Sequence, residues 1–206
     1  MKKYFLLIII ALLTLGVKAQ DADALFKSAV DKLKSYDNIE IEFDYNMINV
    51  EAGIYETMDG AGFLQGDAFK LFIMGQVIIC DGNTTWTYNA DAEEVMITEV
   101  DKSDGNGTPL SIIESYDDNI TAKIVDEAGA IKKIEVKSLL SNDNFKKIIV
   151  TIDTNTLTIK DIHLFDNDDT EFVYVIKKFV TNQKLPADFF TFKASDFPDA
   201  EIIDMR

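Results

Sequence analysis

A chain of 206 residues with 47% hydrophobic side chains is long enough to bury a core of its own. Its formal charge of −16 excludes attraction by charge to nucleic acid or to anionic lipid head groups. A single cysteine, Cys80, excludes an intrachain disulfide, and Cys80 reads as a small apolar strand residue rather than a reactive thiol.

Residues 1–19 read as a secretory signal peptide. Lys2 and Lys3 form the positive start, Tyr4 to Leu15 the apolar stretch, and Val17 and Ala19 the small residues of a cleavage site. The apolar stretch is too short for a membrane span. No cysteine lies beside the cleavage site to carry a lipid anchor. Residues 20–206 are expected to form one secreted domain, with no repeat or linker.

From Asp21 to Tyr36 the apolar residues Phe26, Ala29, Val30 and Leu33 recur at helical spacing. Asp21 and Asp23 at its start and Lys32 and Lys34 near its end suit the helix dipole. The period then becomes two. In EIEFDYNM, Ile41, Phe43, Tyr45 and Met47 alternate with Glu40, Glu42, Asp44 and Asn46, as in a strand with one apolar face. Strand-like runs follow to residue 181, separated by Gly75, Asp81-Gly82, Asn89 to Asp91, Glu127 to Gly129, Ser141 to Asn144, Asp153 to Asn155 and Asp166 to Asp169.

One segment interrupts them. Gly105 and Gly107 lead into Thr108, an N-cap candidate, and Pro109, which suits the first helical position. Leu110, Ile112, Ile113 and Tyr116 make the short helix largely apolar, either a plug or a lid hinged on its glycines. The fold expected is α+β: a strongly curved antiparallel sheet, a half barrel of about ten or eleven strands, with an N-terminal helix and a short lid helix on its concave face.

Catalytic chemistry finds little support. His163 is the only histidine, which leaves no histidine metal cluster and no choice of base for a serine nucleophile; it reads as a sheet-surface residue. DNDDTE at 166–171 lacks a calcium loop's glycine at position six, which is Glu171, and its glutamate at position twelve, which is Lys177. It reads as a solvated hairpin turn. Among 36 acids, carboxylate spacing alone nominates no glycosidase pair. No phosphate-binding glycine loop and no metal or other cofactor site is read.

The order of motifs resembles the outer-membrane lipoprotein carrier protein family, the LolA-type periplasmic chaperones. The likeness runs from the N-terminal helix through the glycine-opened strand Gly60 to Leu64. It continues through Asp81, Gly82, Trp86, Tyr88 and Asn89, then GTPLSII, to the closing Phe190 and Phe192 with a short strand after them. The resemblance implies a non-enzymatic carrier that shelters the acyl chains of lipoproteins in a hydrophobic cavity. It would take them from an inner-membrane ABC-type releasing complex to an outer-membrane acceptor, as a monomer that binds no nucleic acid. The cavity wall is expected to hold Ile41, Phe43, Tyr45, Met47, Phe63, Leu71, Ile73, Trp86, Tyr88, Val95 and Ile97. The lid would be Thr108, Pro109, Leu110, Ile112, Ile113 and Tyr116. Trp86 has an alternative place, packed under the first helix. Many relatives carry an Arg-Pro pair after the glycine-opened strand, and its arginine locks the lid; here those positions are Gly66 and Asp67. Two other readings stand beside the carrier: a binding module for another lipid or amphiphile, and a structural protein whose sheet face is filled by its own helices.

Overall fold

The computed structural model describes residues 22–100, 108–116, 120–139 and 145–206. The signal peptide, the Gly105–Gly107 lead and the turn expected at 141–144 lie outside the described residues.

The fold class is α+β, as expected: helix α1 (22–34), a short helix α2 (Pro109–Ser115) and otherwise strands. The strands are β1 (Ile39–Asn49), β2 (Ile54–Gln65), β3 (Ala68–Ile73), β4 (Gln76–Cys80), β5 (Thr84–Asn89) and β6 (Glu94–Glu99), then β7 (Ile120–Ala128), β8 (Ile131–Ser138), β9 (Phe145–Asp153), β10 (Thr158–Asp166), β11 (Glu171–Thr181) and β12 (Glu201–Asp204). Among the described residues, twelve strands stand where about ten or eleven are expected. They hydrogen-bond in the order β12-β6-β5-β4-β3-β2-β1-β11-β10-β9-β8-β7. The sheet is therefore two meanders joined through β1 and β11, with a parallel strand, β12, added beside β6. A single run of hairpins is thereby corrected, because nothing local in the sequence says that β11 returns to β1.

The chain forms two compact units. Of the described residues, one holds those within Met1–Lys34, Met47–Ile54 and Ile113–Val173, and the second those within Ser35–Asn46, Tyr55–Ile112 and Tyr174–Arg206.

In the first unit, Ala22, Phe26, Ala29, Val30 and Leu33 form one buried stripe of α1. Ile134, Val136, Ile148, Val150 and Ile152 share one face of β8 and β9, all fully buried. In β10 a bulge between Ile159 and Asp161 shifts the alternation, so Ile159 and Ile162 both point inward. The charged ends of α1 act as tethers. The Asp23 carboxylate accepts from the Ala122 backbone N–H at 2.7 Å, which satisfies a donor on the edge strand β7. The Lys32 ammonium donates to the Thr156 carbonyl at 2.7 Å, and that of Lys34 to the Glu114 carbonyl at 3.2 Å.

The DNDDTE segment is the expected turn: Asp166 Oδ1 accepts from the N–H groups of Asp168 and Thr170. In the second unit, Met74 and Gly75 both have positive φ, the geometry of a two-residue hairpin turn joining β3 to β4.

Candidate functional site

Residues directly paired across antiparallel strands share a face, so the ladder registers of the second unit sort its side chains. One row runs Gly62, Leu71, Ile78, Thr87 and Met96; a second runs Leu64, Phe69, Cys80, Thr85 and Thr98; a third runs Gly60, Ile73, Gln76, Asn89 and Glu94. Phe43 and Ile41 of β1 belong to this same face. A Cβ built on Gly60 would lie 2.4 Å from the Phe43 ring, and one on Gly62 would meet Leu71 at 2.6 Å and Ile41 at 3.7 Å. The glycines of β2 thus leave room for neighbouring side chains to lie flat on the strand. The Tyr174 ring joins the group, 5.6 Å from Phe43 and 5.1 Å from Tyr45 between centroids.

The Phe43 face is apolar and only partly closed. Ile41, Phe43, Tyr45 and Phe69 are buried, Leu64, Leu71, Ile73 and Ile78 are half-buried, and Met96 is 42% exposed. Burial, and secondarily Glu56, pushes the Tyr45 phenol above its ordinary range; burial pushes Tyr174 up further. Both are neutral hydroxyls at any physiological pH.

The opposite face carries the rest of the expected cavity wall. Phe63, Trp86, Tyr88, Val95 and Ile97 fall here with Phe72, Val77 and Ile79. The C-terminal tail covers it by aromatic contact. Phe189 meets Phe63 edge-on at 4.9 Å, Phe192 stacks on Trp86 at 5.7 Å with the rings 8° apart, and Phe197 lies 4.6 Å from Tyr88. After Phe197 the chain forms β12 beside β6. The expected wall is thereby corrected into two sets. Ile41, Phe43, Tyr45, Leu71 and Ile73 stand together; Phe63, Trp86, Tyr88, Val95 and Ile97 pack behind the sheet under the tail. The ring partner of Trp86 is Phe192. Met47 falls in the first unit and is half-buried. Leu64, Phe69, Ile78 and Tyr174 were missed, although pairing through the Met74-Gly75 turn sets Ile78 beside Leu71.

At the proposed lid, Thr108 caps α2 as expected. Its Oγ1 accepts from the Ser111 N–H at 3.0 Å, and Ser111 Oγ accepts in return from the Thr108 N–H at 3.0 Å. Leu110, Ile113 and Tyr116 are buried and Ile112 is half-buried. Pro109 opens the helix. Gly66 is an exposed turn residue with φ of 56°, a conformation in which an arginine would be strained.

Cys80 is buried, with the Gly82 N–H directed at its sulfur at 3.3 Å. His163 is half-buried in the first unit between two carboxylates. Its Nε2 lies 3.2 Å from Asp161 and its Nδ1 2.6 Å from Glu171, while Thr151 Oγ1 donates to Asp161 at 2.7 Å. The hydrogen bond to Asp161 raises the imidazole pKa above 6.5 despite burial, and Glu171 adds to it. Burial pushes Asp161 up, but hydrogen bonds from His163 and Thr151 outweigh it and hold that carboxyl low. The cluster ties β10 to β9 and β11. A raised histidine pKa stabilises the fold below about pH 6.5, and the contribution is lost as pH rises through the raised value. The depressed Asp161 works at the other end, losing its contribution only in acid. The melting difference between wild type and His163→Ala should therefore be larger at pH 6 than at pH 9. An equal difference at both, or an NMR titration midpoint for His163 at or below its unperturbed value, would contradict this arrangement.

The sequence pattern described as "Outer membrane lipoprotein carrier protein LolA" matches residues 74–193. The outer-membrane lipoprotein carrier protein of Legionella pneumophila (strain Corby) is 28% identical over 121 residues, which cover 57% of this chain and 58% of that one. The match thus spans less than two thirds of the relative's length. Among solved structures, an uncharacterized conserved protein from Thermus thermophilus superposes with a TM-score of 0.54 at 9% identity, over 87% of this chain and 96% of that one. A LolA superfamily protein from Nitrosomonas europaea gives 0.44 at 8% identity, over 83% and 97%.

Proposed function

The chain belongs to the outer-membrane lipoprotein carrier protein (LolA) family, and from that we propose that it carries lipoproteins between membranes with their acyl chains against the Phe43 face. The observation that carries this reading is the half-open apolar band of Leu64, Leu71, Ile73, Ile78 and Met96 beside the buried Ile41, Phe43 and Phe69. Burial of one methylene is worth about 0.8 kcal/mol, so a chain of ~15 methylenes exposed to water costs on the order of 10 kcal/mol. A lipoprotein crossing an aqueous gap needs such a face on a soluble carrier.

In this reading the signal peptide 1–19 is removed and residues 20–206 work as one carrier domain in the periplasm. No helix among the described residues is long and apolar enough to cross a membrane. Cargo comes from an inner-membrane ABC-type complex and passes to an outer-membrane acceptor, and α2 with Leu110, Ile112, Ile113 and Tyr116 opens and closes the face. No chemical step is required of the protein. In this reading the lock arginine that the resemblance implies has no counterpart at Gly66, and α2 is held by apolar contact together with the Lys34 hydrogen bond to the Glu114 carbonyl.

The test is release of lipoproteins from inner-membrane vesicles by the purified protein, alongside displacement of an apolar fluorescent dye by acyl compounds. Release into a soluble complex, with saturable dye binding, is expected. Dye displacement by free acyl compounds without lipoprotein capture would favour a module for another amphiphile. Absence of saturable dye binding would favour a face filled by the protein's own side chains.

A further inference from the structure

The two faces of the second unit differ in charge as well as in cover. Its described cationic side chains are Lys70, Lys177, Lys178, Lys184, Lys193 and Arg206. Lys70 lies over the rings of Phe72 and Phe189, on the Trp86 side. Lys177 pairs with Asp44 at 2.5 Å, and Lys178 with Glu40 and Glu42 at 2.5 and 3.0 Å. Those acids alternate with Ile41 and Phe43 along β1, so they too face away from the apolar band. Lys193 pairs with Asp188 in the tail, Arg206 pairs with Asp204 beyond it, and Lys184 is exposed there.

Among the described residues of the second unit, then, strand register and ion pairing place no cation on the Phe43 face. Its charged members are acids: Glu94 and Glu201 end the row that starts at Gly60 and Ile73, and Glu56 acts on the Tyr45 phenol. Its other polar groups are neutral, among them the hydroxyls of Thr85 and Thr87 and the phenols of Tyr45 and Tyr174. A carboxylate or phosphate drawn onto this face would lose its water, gain no opposite charge and meet three carboxylates at the margin. A carbonyl of an ester or amide needs only a hydroxyl or water to satisfy it.

We infer that the Phe43 face selects by head-group charge: it takes acyl chains borne on a neutral ester or amide and refuses the same chains on a carboxylate or phosphate. This deepens the carrier reading and rests on it. The selection separates acylated cargo from the free fatty acids and phospholipids of the membranes it would work between, without any contact specific to the cargo's protein part.

The experiment compares monopalmitin with palmitate, one acyl chain on two heads, as competitors for an apolar dye on the purified protein. Both are held below their micelle concentrations at pH 8. Monopalmitin should displace the dye, and palmitate should compete at least about tenfold more weakly. Met96→Lys adds a cation at an exposed position on the Phe43 face, and should improve palmitate about tenfold relative to monopalmitin. Phe72→Lys adds the same charge at an exposed position on the opposite face and should leave that ratio unchanged. Equal displacement by both competitors overturns the charge selection and leaves the carrier reading standing. So does a ratio that Phe72→Lys shifts as much as Met96→Lys. Displacement by neither overturns the carrier reading, and this inference with it.

Discussion

Ile113→Asp is expected to cost about 3–5 kcal/mol of stability and to abolish retention of acyl ligands. Ile113 has 0% of its surface exposed, so a carboxylate there is taken out of water. At this chain length the melting temperature should fall by about 6–20 °C. Ile112→Asp is the control, half-buried on the same helix, and should cost ~1 kcal/mol or less. The reciprocal Thr108–Ser111 capping pair keeps the helix itself intact in both variants. The measurement is a thermal melt beside dye binding. An Ile113→Asp protein that melts like wild type would mean that the helix leaves its buried position at almost no cost. A lid must open, but a gap of a few kcal/mol between closed and open is enough to hold cargo and still release it. A full loss of retention without loss of stability would therefore place α2 at the weak end of that range.

How much was legible turns on particular residues. The α1 stripe, the alternation of 41 to 47 and the Thr108 cap follow from spacing and local hydrogen bonding, and each stands as read. The twelve-strand order did not follow, because the pairing of β11 with β1 joins residues far apart in the chain, and register between distant strands leaves no local mark. The side of Trp86 was readable in part. Ile73 pairs with Gln76 across a two-residue turn, and Cys80 with Thr85 across a four-residue one. Both lengths keep the same alternation, which puts Trp86 opposite Ile79 and away from Leu71. What hid this was composition: both faces are apolar, and the cover over one of them comes from Phe189, Phe192 and Phe197, about a hundred residues downstream of β5. An apolar strand face marks burial, and by itself does not distinguish a ligand from the protein's own tail as the covering group.

The tail gives the last test its force. Phe192 is the middle of an aromatic chain: it stacks on Trp86 at 5.7 Å and on Phe197 at 5.6 Å, and Phe197 reaches Tyr88 at 4.6 Å. Phe192→Ala removes the two stacking contacts together. Because Phe192 is half-buried, the loss should be about 2–3 kcal/mol, below that of a fully buried phenylalanine. Trp86, newly wetted, should shift its emission to the red. Affinity for the apolar dye should not change, since the Phe43 face points the other way along every paired strand from β2 to β6. Trp86 emission should for the same reason respond little to acyl ligands in the wild-type protein. Weakened dye binding in Phe192→Ala with its melt unchanged would mean that the tail and the Trp86 face hold the ligand, and the face assigned here to acyl chains would have to be exchanged for its opposite.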